Sequence, residues 1–244
     1  MRKFWLGSIS LLMFAVTLHA EKKDVTITAA DGFPLKGTLY SAGKVGPGIL
    51  LLHQCNADRQ IYDTLGTMLS AAGYNALTLD FRGFGGSKNA QYKDLASSRD
   101  KMPADVDAAF AFLTSQEQVN KTVIGALGGS CGVNQAIQVG RRHPEIKTLV
   151  LLSGGTDADG ETFIKNATKM PIFGAASEED TNAAASIKKI VALSTNQGSK
   201  LTMLKGAGHA ASMFEKEPDL QADIVIWFRT NLPVSGYAVL PSLK

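Results

Sequence analysis

Five residues, Gly128-Gly129-Ser130-Cys131-Gly132, constrain this chain more than any other stretch. They follow an apolar run, Thr122 to Leu127, that reads as a buried strand. They precede Val133 to Val139, which reads as the first turns of a helix. A strand and a helix joined by Gly-x-Ser-x-Gly turn so sharply that the central serine must take a strained backbone. Side chains two residues to either side would collide in that turn, and the glycines at 128 and 132 remove them. The serine hydroxyl is then held out beyond the carboxyl end of a strand, where a substrate can reach it. A plain Gly-rich turn is the bland explanation of the same residues, so the rest of the chain must decide.

Strand and helix patterns alternate from residue 48 onward. Residues 24–29 and 35–40 alternate in polarity around the turn signal Asp31-Gly32 and read as a hairpin. Residues 48–53 form a continuous apolar run, as expected of a strand buried on both faces. Ile61, Leu65, Met68, Leu69 and Ala72 fall at helical spacing, and Asn75 to Leu79 is the next strand. A loop from Asp80 to Ser87 and a polar segment from Lys88 to Lys101 follow, and Pro103 opens a helix. After the Ser130 turn come strands at 147–153, 171–177 and 200–204. A short connection covers 154–170, a helix covers 182–193, and Ala210 to Asn231 contains a last amphipathic helix. This order predicts one α/β domain over residues 21–244, a mostly parallel twisted sheet with helices on both faces. Pro233 to Lys244 reads as a tail with no clear element.

The first twenty residues differ in kind. Arg2 and Lys3 are followed by a mostly apolar run, Leu6 to Leu18, and by Ala20 before a charged stretch. Residues 1–20 therefore read as a secretory signal peptide, and the mature chain is expected in the periplasm or outside the cell. Without Arg2 and Lys3 there are 23 basic and 22 acidic residues, a net charge of +1. Such a balance gives no reason to expect nucleic acid or an anionic membrane as partner. No second long apolar run suggests membrane insertion once the signal is cleaved. Two cysteines, Cys55 and Cys131, without Cys-x-x-Cys make no zinc site, and export permits a disulfide.

In a parallel sheet the chemistry gathers on loops beyond the carboxyl ends of strands. Ser130 follows one strand; Glu178, Glu179 and Asp180 follow another; Gly206-Ala207-Gly208-His209 follows the last. A serine nucleophile needs a base to take its proton, and the base needs a carboxylate to orient it. His209 is the candidate base. His143, beside Pro144 at a helix end, reads as a terminal cap. Two backbone N–H groups should hold an oxyanion. One belongs to Cys131. The other belongs to the loop His53-Gln54-Cys55-Asn56-Ala57, at Gln54 or alternatively Cys55, with His53 structural within the loop. Cys55 and Cys131 thus fall on two segments that must meet, which predicts a disulfide or a close thiol pair.

Together these residues resemble the α/β-hydrolase superfamily across the whole mature chain. The likeness rests on the apolar strand ending in His53, the Asp80-Phe-Arg-Gly-Phe-Gly-Gly-Ser87 loop, the Ser130 elbow, the strand leading to Asp180, and Gly-Ala-Gly-His209. The short 154–170 insert resembles compact lidless members of the dienelactone-hydrolase and small-esterase kind. The resemblance implies Ser130 as nucleophile, Asp180 as acid and His209 as base, with Glu178 or Glu179 as substitutes for the acid. It implies structural roles for Arg82, Gly83 and Ser87. The usual His-Gly of the oxyanion loop is His53-Gln54 here. Val133 replaces a further glycine, so the elbow helix is expected to pack less closely. Dienelactone hydrolases proper use Gly-x-Cys-x-Gly, whereas Cys131 stands one position off.

The expectation is therefore an exported serine hydrolase that cleaves esters or related acyl bonds of a small-molecule substrate. It needs neither metal nor organic cofactor. A catalytically silent binding protein on the same fold is the first alternative. The same triad acting on peptide, lactone or carbon–carbon bonds is the second.

Overall fold

The computed structural model describes residues 21–234. The expected signal peptide, 1–20, and nearly all of the expected tail lie outside the described residues. β1 (Glu21–Thr28) and β2 (Pro34–Ser41) pair antiparallel around the Asp31-Gly32 turn, where Gly32 takes φ 82°. β3 (Gly46–Leu52), β4 (Asn75–Leu79), β5 (Val119–Gly129), β6 (Ile146–Leu152), β7 (Ile172–Ser177) and β8 (Lys200–Leu204) run parallel to one another. The spatial order is β1-β2-β4-β3-β5-β6-β7-β8, with the hairpin joined antiparallel to β4. β5 is longer than the apolar run that announced it, and its pairing with β6 shifts register between Ile124 and Gly125.

The connections are α1 (Asp63–Ala71), α2 (Leu95–Ser98), α3 (Met102–Ser115), α4 (Cys131–Arg142), α5 (Ala158–Asn166), α6 (Thr181–Leu193), α7 (Met213–Lys216) and α8 (Asp219–Asn231). Strand periodicity decides what each helix covers. Leu50, Leu52, Leu149, Leu151 and Ile172 face a core shared with Val106 of α3, Ile137 of α4 and Ile187 of α6. Their neighbours Ile49, Leu51, Val150, Leu152 and Phe173 face a second core with Leu65 and Leu69 of α1 and Ile224 and Phe228 of α8. A strand with every residue buried, such as β3, cannot alternate in polarity, and its continuous apolar run is the consequence.

Two local features go beyond the sequence pattern. The polar segment 88–101 contains α2, opened by a capping box in which Asp94 accepts from Ser97 N at 2.9 Å. The 210–231 stretch begins with a 3-10 turn at Ala210–Ser212 and the single-turn α7 before α8 starts at Asp219, just after Pro218.

The loop after β4 is fixed by buried charge. Asp80, with no exposed surface, accepts from Arg59 Nη1 at 2.6 Å, Arg59 N at 2.7 Å and Gly86 N at 2.7 Å. A Cβ on Gly85 would sit 2.3 Å from the Asp80 carboxylate, and Gly85 takes φ 46°. Arg82 is 1% exposed. It donates to both oxygens of Asp31 and both oxygens of Asp105, at 2.6 to 3.0 Å. Its guanidinium also lies 4.3 Å from the Phe33 ring centre and 4.7 Å from that of Tyr92. Every donor edge has a partner, which makes burial of this cation tolerable.

Hydrogen bonds from Arg82 hold the Asp31 carboxyl down at about 2. A carboxyl depressed in the folded state stabilises the fold above its unfolded value, and that contribution is lost as pH falls through about 2. Asp31 is 44% exposed at its side chain, so solvent screens the pair and the effect is modest. Asp31→Asn is expected to unfold at lower urea than wild type at pH 6, with the gap narrowing as the pH approaches 2. Equal midpoints at pH 6 would contradict this.

Candidate active site

Ser130 sits between β5 and α4 with φ 51° and ψ −116°, a conformation that few non-glycine residues adopt. The surrounding glycines explain how it is tolerated. A Cβ on Gly128 would lie 2.1 Å from Gly132 O, and one on Gly132 would lie 2.3 Å from Leu52 O. The turn and the start of α4 therefore press directly on β5 and β3. Ser130 N donates to Leu152 O at 2.8 Å, which ties the turn to β6. Val133 does not loosen this packing as expected. It is fully buried, and Gly154 makes room for it: a Cβ there would meet Val133 Cγ2 at 2.7 Å and Ser130 O at 2.3 Å.

The loop after β3 meets this turn. A disulfide joins Cys55 to Cys131 across 76 residues of sequence. His53 has no exposed surface; Phe81 N donates to its Nε2 at 3.0 Å and its Nδ1 donates to Gln54 O at 2.7 Å. Burial lowers its pKa, and these partners suit the neutral ring. His53 thus ties the loops after β3 and β4, a structural part. Gln54 is 2% exposed. Its Oε1 accepts from Ala211 N at 2.9 Å and its Nε2 donates to Asn56 Oδ1 at 2.8 Å. The sequence pattern points only to the backbone N–H of Gln54. The signal that its side chain has work of its own was the departure from His-Gly.

His209 stands on a tight turn after β8. Gly206, Gly208 and Ala210 around it take φ 63°, 91° and 51°. The three acids after β7 divide here. Glu179 Oε2 accepts from Ser177 Oγ and from Gly206 N, each at 2.7 Å, and these bonds lower its pKa. Glu178 is exposed to solvent. Asp180 Oδ2 lies 2.5 Å from His209 Nδ1. Of the three, Asp180 is the one whose carboxylate meets the imidazole.

Ser130, Cys131, Asp180 and His209 share one open cleft of about 350 Å³ with Ser153, Gly154, Gly155, Asn182, Ala183 and Ser186. No hydrogen bond joins Ser130 to His209 directly; such contacts often tighten only in the substrate complex. Ser153, which the sequence did not single out, is buried at φ 48° with its hydroxyl 3.7 Å from Met213 Sδ. His143 lies elsewhere. Its backbone closes α4, its Nε2 lies 2.9 Å from Asp107 Oδ1, and its ring stacks on Phe110 at 3.9 Å.

Known proteins share the fold and the family. A family model described as serine aminopeptidase, S33, matches residues 44–178, more than half of the chain. An uncharacterized protein of Mycobacterium tuberculosis is 29% identical over 133 residues, which is 54% of this chain and 45% of that protein. The aligned part thus spans about half the length of that curated relative. Among solved structures, an esterase of Pyrococcus furiosus superposes with a TM-score of 0.71 at 21% identity, over 86% of this chain and 93% of its own. A dienelactone hydrolase of Anabaena variabilis gives 0.68 at 17%, over 87% and 99%. These structural likenesses establish the compact α/β-hydrolase fold.

The bridge can be checked directly. The denatured protein is expected to show no free thiol without reductant and both after reduction. Closing a loop of this length restricts the unfolded chain, so replacing both cysteines by serine should lower the unfolding free energy by about 2–4 kcal/mol in urea titrations. An unchanged midpoint would show that the bridge adds no stability.

Proposed function

The chain belongs to the serine aminopeptidase S33 family, and on that footing we propose that it is an exported serine hydrolase cleaving ester or related acyl bonds of small molecules. The observation that carries this reading is the 2.5 Å contact between His209 Nδ1 and Asp180 Oδ2 on the cleft that Ser130 enters from a strained turn. Asp180 accepts a hydrogen bond from Nδ1–H, which leaves the lone pair on Nε2. Nε2 takes the proton of Ser130 Oγ as that oxygen attacks the substrate carbonyl. The oxyanion that develops is held by the N–H of Cys131, at the start of α4, and by that of Gln54. His209 then gives its proton to the leaving group. In the second half it takes a proton from water, which attacks the acyl group on Ser130 and frees the acid product. No step needs a metal or organic cofactor.

The family description raises peptides with a free amino terminus as substrates. The cleft favours uncharged acyl compounds instead. Among the described residues lining it, Asp180 is the one acid, and His209 already engages that carboxylate, so none of them is left for a substrate amine. Lactones and other acyl bonds on the same triad remain within the reading. Export rests on the signal pattern of residues 1–20 and is supported by the disulfide, which persists in oxidising compartments.

Purified protein is expected to hydrolyse p-nitrophenyl acetate and to label at Ser130 with a fluorophosphonate, located by peptide mass spectrometry. Ser130→Ala should lose turnover by roughly 10³-fold or more, and Asp180→Asn by up to about 10⁴-fold. A Ser130→Ala protein that retains turnover defeats the proposal. A folded wild type that neither labels nor turns over favours a silent binding protein. Amino-terminal sequencing of protein recovered outside the cytoplasm should begin at Glu21.

A further inference from the structure

We propose that the Gln54 side chain is a positioning residue that sets the His209 turn against the oxyanion loop, and this rests on the serine-hydrolase reading above. The His209 turn needs external support. Three residues in the five-residue run Gly206–Ala210 take positive φ, and one of them, Ala210, is not glycine. On one side that support comes from the end of β7 and the loop after it: Glu179 Oε2 accepts from Gly206 N at 2.7 Å and Ser177 Oγ accepts from Ala207 N at 3.0 Å. Those bonds hold the approach to His209. The exit from it, where Ala210 is strained, is held by Gln54 Oε1 through Ala211 N at 2.9 Å.

Ala211 N–H belongs to the 3-10 turn Ala210–Ser212, whose first amides have no partner within the turn itself. His209, at the cap position of that turn, makes no side-chain cap because its ring is turned to Asp180. The cap is therefore supplied from 157 residues away. Ala211 is 2% exposed, so water does not readily replace the lost acceptor. The other end of the amide is fixed as well, by its bond to Asn56 Oδ1 at 2.8 Å. Gln54 and Ala210 also close over the same residue. A Cβ on Gly129, just before the nucleophile, would lie 3.4 Å from Ala210 Cβ and 3.9 Å from Gln54 Cβ. One side chain thus spans the loop that donates to the oxyanion and the turn that presents the base.

The test compares Gln54→Met, which keeps the shape and loses the acceptor, with Gln54→Glu, which keeps an oxygen for Ala211 N. The backbone N–H of residue 54 is present in both. A misplaced base costs rate without weakening substrate binding, so Gln54→Met should lower kcat on p-nitrophenyl acetate by roughly 10- to 100-fold with KM within about threefold. Its rate of fluorophosphonate labelling at Ser130 should fall in parallel. Gln54→Glu should recover most of both rates. If Gln54→Met does not fold, Gln54→Asn, too short by one methylene to reach Ala211, is read by the same criteria. Wild-type rates in Gln54→Met, equal impairment in the Glu and Met variants, or a change in KM alone would overturn the role of Gln54. A wild type that itself fails to label would overturn the reading of Ser130, and this inference with it.

Discussion

The backbone of Ser130 is the constraint on which the rest of this structure depends. A non-glycine residue at φ 51° costs on the order of 1–3 kcal/mol and persists only where its surroundings over-determine it. Here they do so from several sides. Ser130 N is bonded to β6. Gly128 and Gly132 let α4 press against β5 and β3, and Gly154 lets the loop after β6 close on the turn. The next residue is covalently tied to the β3 loop. Most of these contacts require an absent side chain, so almost any substitution at the three glycines would push the turn out of place.

Environment, rather than residue type, separates the jobs of the acids after β7. Glu179 and Asp180 are adjacent in sequence and carry the same charge. Glu179 is committed to Ser177 and Gly206 N and so holds the loop that bears His209. Asp180, one residue on and at the start of α6, is turned to the imidazole itself. The glutamate sets where the histidine stands, and the aspartate sets how its ring is oriented.

Much of this was legible in the chain because it is local. The Ser130 turn announces itself through glycines two residues to either side. Strands buried on both faces show as unbroken apolar runs, and the turn before His209 shows as alternating glycines. The disulfide could be anticipated because topology brings the loops after β3 and β5 together. What stayed hidden depends on complementarity across long separations. Val133 looked too large for its place, and nothing near it in sequence points to Gly154 as the residue that accommodates it. The departure from His-Gly marks Gln54, but nothing near it in sequence names its partner, the N–H of residue 211. Ser153 reads as an ordinary strand end, and its positive φ appears only once β6 is seen to turn beneath Met213. The choice among Glu178, Glu179 and Asp180 likewise needed the imidazole in view.

The bridge between Cys55 and Cys131 also encloses a stretch of chain that includes the solvent-facing residues Lys88 to Gln91. Exposed polar loops of this kind are where proteases cut first. A single cut there opens the backbone but does not divide the molecule, because the two fragments remain fastened beside Ser130. β3 and β4 would stay with one fragment and β5 with the other, still covalently joined at the cleft. After a nick at that loop, the bridge still holds the two halves of the cleft together.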